Sequence, residues 1–304
     1  TIYDLDNNST QFELTSFDKI DGSASDIVAS ESILIVNSHI ENSIKIFSQL
    51  NGELVERSEI ITQNVNVDNG LYLKENNLFM ISGNRIICYD ISDLDNPIFI
   101  DDYFGDSNFG VYSKLAFTST FFIAGSVFDN TKGSFDILAL NENNEIEFLN
   151  HLIFEDNSLF IGWDGYNVPL IEDAISDKVF IMPQTDLNYP SYELREINSE
   201  FISDPILQNL EAPNIANGEL GYDVDQGILY LLSFNSDFIY VINLSDPENF
   251  STIPIFEGTS VVTNSNQRLD VEFPYVYHRD NTQLMVFDIS NNEVNIAGWS
   301  NDVN

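Results

Sequence analysis

The sequence has few basic residues, and they are not clustered. Its 11 Lys and Arg stand against 49 Asp and Glu, which gives a formal charge of −38. Proteins that bind nucleic acid need clustered positive charge to displace counterions from phosphates, and anionic membrane surfaces attract the same clusters. The composition therefore argues against nucleic acid as a partner and disfavours an anionic membrane surface. Scattered carboxylates at this density suit high salt or divalent cations, or serve only to keep the protein soluble.

Cysteines and long apolar runs are also scarce. The single cysteine, Cys88, cannot form an internal disulfide and lies in an apolar run, so we expect a small buried side chain. No stretch reaches the roughly 18 apolar residues that a transmembrane helix needs. We therefore expect no membrane insertion. Helical periodicity is nearly absent, and residues 204–210 are the segment in which we expect at most one helical turn.

Short apolar strands separated by turns make up most of the chain. Residues 78–100 show the unit clearly, because three apolar runs are separated by Ser-Gly-Asn-Arg and by Ser-Asp-Leu-Asp-Asn-Pro. Strand pairs of this kind occur seven times along the chain. The fifth pair consists of residues 192–194 and residues 201–202. Equivalent positions are separated by 42 to 56 residues, and they are Tyr3, Phe47, Tyr89, Leu138, Leu194, Ile242 and Phe287.

This period predicts an all-β fold, a single β-propeller over residues 1–304 with four-stranded antiparallel blades. Seven blades are the first choice and six the second. A two-sheet sandwich is the structural alternative, but it has no reason to repeat one position seven times. Residues 2–17 supply only an outer strand pair, so we expect the first blade to be incomplete at the N-terminus. An upstream segment or a strand from a neighbouring subunit would then cover its edge.

Residues 78–104 resemble the LVIVD-repeat signature. In Tyr89-Asp90-Ile91-Ser92-Asp93-Leu94-Asp95-Asn96-Pro97-Ile98 an apolar strand ends in Asp and is followed by a Ser/Asp turn and Asn-Pro; residues 242–247 and 287–291 match more weakly. Proteins with such repeats are typically exported β-propellers of bacteria and archaea. The resemblance implies a propeller fold and an extracellular or cell-surface location, and it adds little about chemistry.

One turn is a candidate Ca²⁺ site. Asp90, Asp93 and Asp95 lie close together with Asn96, and carboxylate and amide oxygens are the ligands that Ca²⁺ prefers. The spacing matches no strict calcium-binding loop. Asp and Asn in turns more often bond their own backbone, so that is the competing interpretation.

The candidate ligand-binding residues are His39, His278, Arg279, Asp280 and Trp163. Both histidines are predicted in hairpins between the second and third strands of their blades, on the face where propeller ligands usually bind. A solvated hairpin tip is the alternative. Trp163 belongs to a loop that is suited to stacking on carbohydrate or to packing a neighbouring subunit. His151 lies in an outermost strand, and we expect a surface residue there.

The sequence favours a non-enzymatic protein. It contains no Gly-x-Ser-x-Gly, no His-Glu-x-x-His and no phosphate-binding glycine loop. We expect an exported binding or assembly module whose partners are another protein or itself, with carbohydrate and cations as further candidates. A propeller-type hydrolase or lyase with a metal near the central channel is the alternative.

Overall fold

The computed structural model is all-β. It describes residues 2–4, 13–16, 24–30, 32–38, 42–50, 53–62, 70–128, 132–154, 170–173, 178–181, 191–211, 219–223, 227–232, 238–243, 245–246, 251–254, 268–272, 275–279, 284–288 and 295–300. One short 3-10 helix spans Ser107–Phe109. Among the described residues, no helix has the length and apolar character that crossing a membrane requires.

The described strands, in chain order, are β1 Ile2–Asp4, β2 Glu13–Ser16, β3 Ala24–Ala29, β4 Ile33–Ser38, β5 Ser43–Leu50, β6 Glu53–Ile61, β7 Leu71–Lys74, β8 Asn77–Ser82, β9 Arg85–Asp90, β10 Ile98–Phe104, β11 Tyr112–Phe117, β12 Phe122–Phe128, β13 Lys132–Leu140, β14 Ile146–Phe154, β15 Leu170–Asp173, β16 Lys178–Ile181, β17 Ser191–Ile197, β18 Leu207–Glu211, β19 Glu219–Asp223, β20 Ile228–Leu232, β21 Phe238–Asn243, β22 Ser251–Pro254, β23 Arg268–Glu272, β24 Tyr275–Arg279, β25 Leu284–Asp288 and β26 Asn295–Ser300.

Strands β3 to β26 form six four-stranded sheets, and each sheet is built from four strands that are consecutive in the chain. We number them sheet 1 (β3–β6) to sheet 6 (β23–β26). Strands β1 and β2 form a two-stranded sheet. The chain divides into two compact units, of which the first contains sheets 1 to 3 and the second contains sheets 4 to 6, with the boundary at Phe154. The prediction of four-stranded antiparallel sheets is therefore confirmed, whereas the blade number and the single domain stay predictions.

The repeated sequence positions share one place in the structure. The six positions after Tyr3 each lie in the third strand of a sheet, and they are Phe47, Tyr89, Leu138, Leu194, Ile242 and Phe287. In the first unit the third strand is flanked by two strands of its own sheet and is covered on both faces. An apolar run is needed at such a position, which explains why this strand has the most regular pattern.

The core of the first unit lies between neighbouring sheets, and β8 shows how it forms. Leu78 and Met80 pack with residues of sheet 1, such as Ile35, Ile44 and Ile46. The alternate residues Phe79 and Ile81 pack with residues of sheet 3. Because successive side chains of a strand point to opposite faces, one apolar strand contributes to two cores.

Aromatic rings fill the second of these cores. The ring of Phe79 lies 4.9 Å from that of Phe117 and 5.2 Å from that of Phe122. The turn that ends β8 is also as predicted, since β8 stops at Ser82 and β9 begins at Arg85. Gly83 in this turn has a φ of 61°, which is a conformation that glycine adopts without steric cost.

One prediction about the fifth strand pair is wrong. The fourth strand of sheet 4 begins at Leu207, whereas Ile202 forms only an isolated bridge with Ile197. The reason is a turn after β17: the side-chain oxygen of Asn198 accepts hydrogen bonds from the backbone N–H groups of Glu200 and Phe201. Regular pairing therefore starts later, at Leu207. Residues 207–211 form a strand, which agrees with the expectation of at most one helical turn in residues 204–210.

The N-terminal strand pair is consistent with an incomplete blade. Among the described strands, β1 and β2 pair only with each other. Tyr3 lies in β1, while Phe12 lies outside the described residues. The origin of any covering segment therefore stays a prediction.

Candidate functional site

The most unusual polar cluster in the described residues surrounds Asp136. This residue lies on β13, the third strand of sheet 3, and only 5% of it is exposed. A buried carboxylate is costly unless hydrogen bonds replace its water. Three donors do so here: Tyr103 on β10, Tyr112 on β11 and His151 on β14.

The donors divide between the two carboxylate oxygens. Nδ1 of His151 lies 2.6 Å from Oδ1 of Asp136. The hydroxyl of Tyr103 donates to Oδ2 at 3.2 Å, and the hydroxyl of Tyr112 donates to the same oxygen. Because Tyr103 belongs to sheet 2 and the other three residues to sheet 3, the cluster connects two neighbouring sheets of the first unit.

Both tyrosines are held in the neutral state. Burial raises the pKa of the Tyr112 hydroxyl far above its usual range, and the hydrogen bond to Asp136 and its negative charge raise this pKa further. Burial followed by the charge of Asp136 raises the pKa of Tyr103 in the same way. Each hydroxyl is therefore a permanent donor to the carboxylate at any physiological pH.

His151 is oriented by Asp136 and covered by an aromatic ring. Its side chain is 25% exposed, but its Nε2 is buried and has no hydrogen-bond partner in the described part of the chain. The ring of Phe109 lies 4.4 Å from the imidazole, centre to centre. Because a carboxylate only accepts hydrogen bonds, Nδ1 of His151 donates to Asp136, and this bond orients the imidazole. The prediction that His151 is simply a surface residue is therefore wrong.

The loop between β10 and β11 positions Tyr112. Gly105 donates its N–H to the carbonyl of Asn84 at 2.9 Å and accepts from the side-chain amide of Asn84 at 2.7 Å. The N–H of Tyr112 donates to the carbonyl of Gly83 at 2.9 Å. A Cβ on Gly105 would lie 1.9 Å from the Tyr112 hydroxyl, so only glycine allows this approach.

The chemistry available to the cluster is limited. An Asp–His pair orients imidazole as hydrolases use it, but catalysis also needs a nucleophile near Nε2 and access for substrate. Among the described residues, the ring of Phe109 lies against the imidazole of His151. The described residues also contain no group of three His, Cys, Asp or Glu side chains that could hold a metal ion. The hydrogen bonds of Asp136 with Tyr103 of sheet 2 and with Tyr112 and His151 of sheet 3 make the cluster a link between these two sheets.

The predicted Ca²⁺ ligands lie in the turn between β9 and β10, and most of their oxygens already have partners. Asp90 accepts from the N–H of Ser92, and Asp93 accepts from the N–H of Asp95. Asp95 forms two hydrogen bonds with the guanidinium of Arg57 on β6, at 2.8 and 2.6 Å. The hydrogen bond from Arg57 lowers the pKa of the Asp95 carboxyl. In this state the turn links sheets 1 and 2, and calcium binding stays a prediction.

Two of the five predicted ligand-binding residues, His278 and Arg279, belong to the described residues, so the ligand-binding site stays a prediction. His278 and Arg279 lie within β24, where His278 pairs with Leu269 and Met285, so their prediction in a hairpin is wrong. The apolar run Tyr275–Tyr277 predicted that the strand would end before His278. The strand is two residues longer because its backbone pairing with β23 continues to Arg279. His39, Asp280 and Trp163 lie outside the described residues.

The comparisons with known proteins concern the fold alone. No protein-family model matches the chain, and no curated protein matches it in sequence. A functionally unknown protein from Desulfotomaculum acetoxidans DSM 771 superposes with a TM-score of 0.63 at 12% identity, covering 88% of this chain and 80% of that one. The Pan2 WD40 domain of Neurospora crassa superposes with a TM-score of 0.61 at 11% identity, covering 93% of this chain and 80% of that domain. A chain of the mitotic checkpoint complex superposes with a TM-score of 0.58 at 9% identity, covering 95% of this chain and 87% of that one.

These similar structures are β-propeller and WD40-like proteins, which supports a propeller fold for this chain. The LVIVD-repeat resemblance is not confirmed and stays a prediction. Sequence reasoning did not find Asp136, Tyr103 or Tyr112. The single signal available was a carboxylate inside an apolar third strand, and nothing in the sequence pairs it with residues on three other strands.

Proposed function

We propose that this chain is a non-enzymatic binding or assembly module that is exported and acts at a cell surface or in an extracellular structure. The observation that supports this proposal is the distribution of exposed apolar side chains. Among the described residues, 8 of the 12 exposed large apolar side chains lie on β6, β10 and β14, the fourth strands of sheets 1 to 3. They are Val55, Ile61, Ile98, Phe99, Phe104, Phe148, Leu149 and Ile153.

Exposed apolar residues scattered singly need no explanation, but apolar residues gathered on one structural feature indicate an interaction surface. Fourth strands lie at sheet edges, where unpaired backbone groups add to the tendency to associate. Similar propeller structures also occur in protein assemblies, as the mitotic checkpoint complex shows. This similarity supports protein–protein interaction in general and identifies no partner.

Charge supports the proposed setting. With 49 acidic and 11 basic residues, the surface repels anions and attracts cations. Molar salt or millimolar divalent cations would screen the repulsion within the protein and between two protein molecules. An extracellular environment of this kind is therefore the setting in which the module would associate most readily.

A retention experiment tests the proposal. The immobilised chain is incubated with the secreted and envelope fractions of its source organism, beside a variant with Ile61→Ser, Ile98→Ser and Phe104→Ser. These three side chains, 55, 62 and 61% exposed, are the most exposed apolar residues on β6, β10 and β14. The control carries Leu50→Ser and Phe201→Ser, which are equally exposed but lie elsewhere.

We expect the wild type and the control to retain the same proteins and the triple variant to lose them. Equal retention by the triple variant, or no retention by the wild type at any salt concentration, would contradict the proposal. No observation in the described residues favours the alternative of a hydrolase or lyase. Carbohydrate binding stays a prediction because Trp163 lies outside the described residues. Ca²⁺ binding also stays a prediction, since Asp90, Asp93 and Asp95 accept hydrogen bonds from protein groups in this state.

A further inference from the structure

The turn after β21 contains an acceptor sequence for N-linked glycosylation. Residues 243–245, Asn-Leu-Ser, follow the pattern Asn-x-Ser in which the middle residue is not proline. Asn243 is the last residue of β21, and both Asn243 and Ser245 are exposed. Because the transferring enzyme and its sugar donor must reach the side chain, such a sequence is used on a surface turn. The other acceptor sequences of the chain begin at Asn7, Asn8 and Asn249, outside the described residues.

The hydrogen bonds of the turn use the oxygen of the Asn243 amide and leave its nitrogen. Oδ1 of Asn243 accepts from the N–H of Ser245 at 2.9 Å and from its hydroxyl at 2.7 Å. The backbone carbonyl of Asn243 accepts from the N–H of Asp246 at 3.0 Å. Within the described part of the chain, Nδ2 of Asn243 donates to no other residue. The serine hydroxyl of the acceptor sequence is therefore already held beside the amide whose nitrogen would be modified.

The equivalent turn of sheet 2 shows that the fold does not need an amide at this position. Asp90 ends β9, the third strand of its sheet, as Asn243 ends β21. Its Oδ1 accepts from the N–H of Ser92 at 2.8 Å, which is the same contact made by a carboxylate. The third strand of sheet 6 also ends in an aspartate, Asp288. An oxygen acceptor is therefore sufficient for the turn, and the amide nitrogen of Asn243 is available for a separate role.

The position of Asn243 leaves space for a bulky group. The backbone pairing of β21 with β22 ends at Val241, so Asn243 lies two residues beyond the last pair with the fourth strand. In sheet 2 the corresponding turn is held against sheet 1 by the two hydrogen bonds between Asp95 and Arg57. The side-chain hydrogen bonds of Asn243 and Ser245 stay within their own turn. A group attached to Nδ2 would therefore break no contact of the described residues.

We propose that Asn243 is an N-glycosylation site of the exported chain. This inference rests on the proposed function, because the sugar is transferred to chains that leave the cytoplasm. The donor class is a sugar carried on a lipid phosphate or pyrophosphate. Nδ2 attacks the anomeric carbon, an N–C bond forms, and the bond from that carbon to the phosphate oxygen breaks. The lipid phosphate leaves, and one amide proton passes to a base of the transferase. The modified side chain keeps Oδ1, so both hydrogen bonds from Ser245 persist.

Peptide mass spectrometry tests the inference on the full chain, purified from the secreted and envelope fractions of its source organism. We expect the peptide that contains Asn243 to carry a glycan, and fragmentation to place the added mass on this residue. Asn243→Asp and Ser245→Ala should each abolish the modification, whereas Ser245→Thr should keep it. Asn141 is the internal control, because its Oδ1 accepts from the N–H of Asn143 in a similar turn but no hydroxyl residue follows at that place. It should carry no sugar.

Asn243→Asp should keep the fold, because a carboxylate serves the same turn at Asp90, and far-UV circular dichroism with the melting temperature checks this. An unmodified Asn243 in the exported chain, or a glycan that persists on this peptide in Ser245→Ala, would overturn the inference. An exported chain without this glycan would leave the proposed function in place. A chain found only in the cytoplasm would contradict both.

Discussion

Replacing Gly105 by alanine tests the Asp136 cluster directly. The new Cβ would lie 1.9 Å from the hydroxyl oxygen of Tyr112, 2.6 Å from its Cζ and 3.1 Å from Oδ2 of Asp136. Tyr112 is buried, so its ring cannot move away into solvent. Either the tyrosine shifts and its hydrogen bond to Asp136 breaks, or the loop moves away from the β8–β9 hairpin.

The expected cost follows from these two effects. Losing a hydrogen bond to a charged group costs about 1.5–3 kcal/mol, and forcing an extra methyl into a packed site costs about 1–3 kcal/mol. We expect Gly105→Ala to lower the free energy of unfolding by about 2.5–6 kcal/mol. Tyr112→Phe alone should cost about 1.5–3 kcal/mol. The double variant should cost less than the sum, because the hydroxyl bond can be lost only once.

Urea unfolding followed by far-UV circular dichroism measures these costs, and hydrogen exchange in residues 112–154 locates them. Gly83→Ala is the matched control: its Cβ meets nothing within 4 Å, so only the positive φ is penalised, by about 1–2 kcal/mol. If Gly105→Ala costs no more than this control, or if its effect simply adds to that of Tyr112→Phe, the proposed role of the cluster is wrong.

Two further predictions concern pH and salt. Burial, together with the charges of Asp101 and Asp90, raises the pKa of the Cys88 thiol to about 12. This pKa lies above that of the thiol in the unfolded chain. The protonated thiol therefore contributes fully to the free energy of unfolding below about pH 9, and the free energy of unfolding falls by up to about 1.4 kcal/mol per pH unit from there towards pH 12. In urea unfolding, the free energy of unfolding should fall less between pH 8 and pH 10.5 for Cys88→Ala than for the wild type, and an equal fall in both would refute this. The melting temperature should rise markedly from low salt to molar salt or millimolar Ca²⁺, and a flat profile would leave the charge as a solubility device.

The strand pairs could be read from the sequence because the third strand of each sheet lies between neighbours. Phe47 and Leu138 are buried, and the alternate residues of β8 supply two separate cores. A strand in this position carries buried apolar side chains on both faces, so its pattern is visible without knowledge of its contacts. The error after β17 arose where Asn198 and Ser203 bond to nearby backbone, because such local bonds delay the regular pairing.

What the sequence alone determined is therefore the class of structure: short antiparallel strands, repeated with a period that fits propeller blades. The tertiary structure decided which polar residues meet. Asp136 and His151 lie on neighbouring strands, but Tyr103 comes from another sheet and Tyr112 depends on a glycine that leaves room for its hydroxyl. Burial and periodicity act locally along the chain, whereas these contacts depend on how separate strands are placed in space.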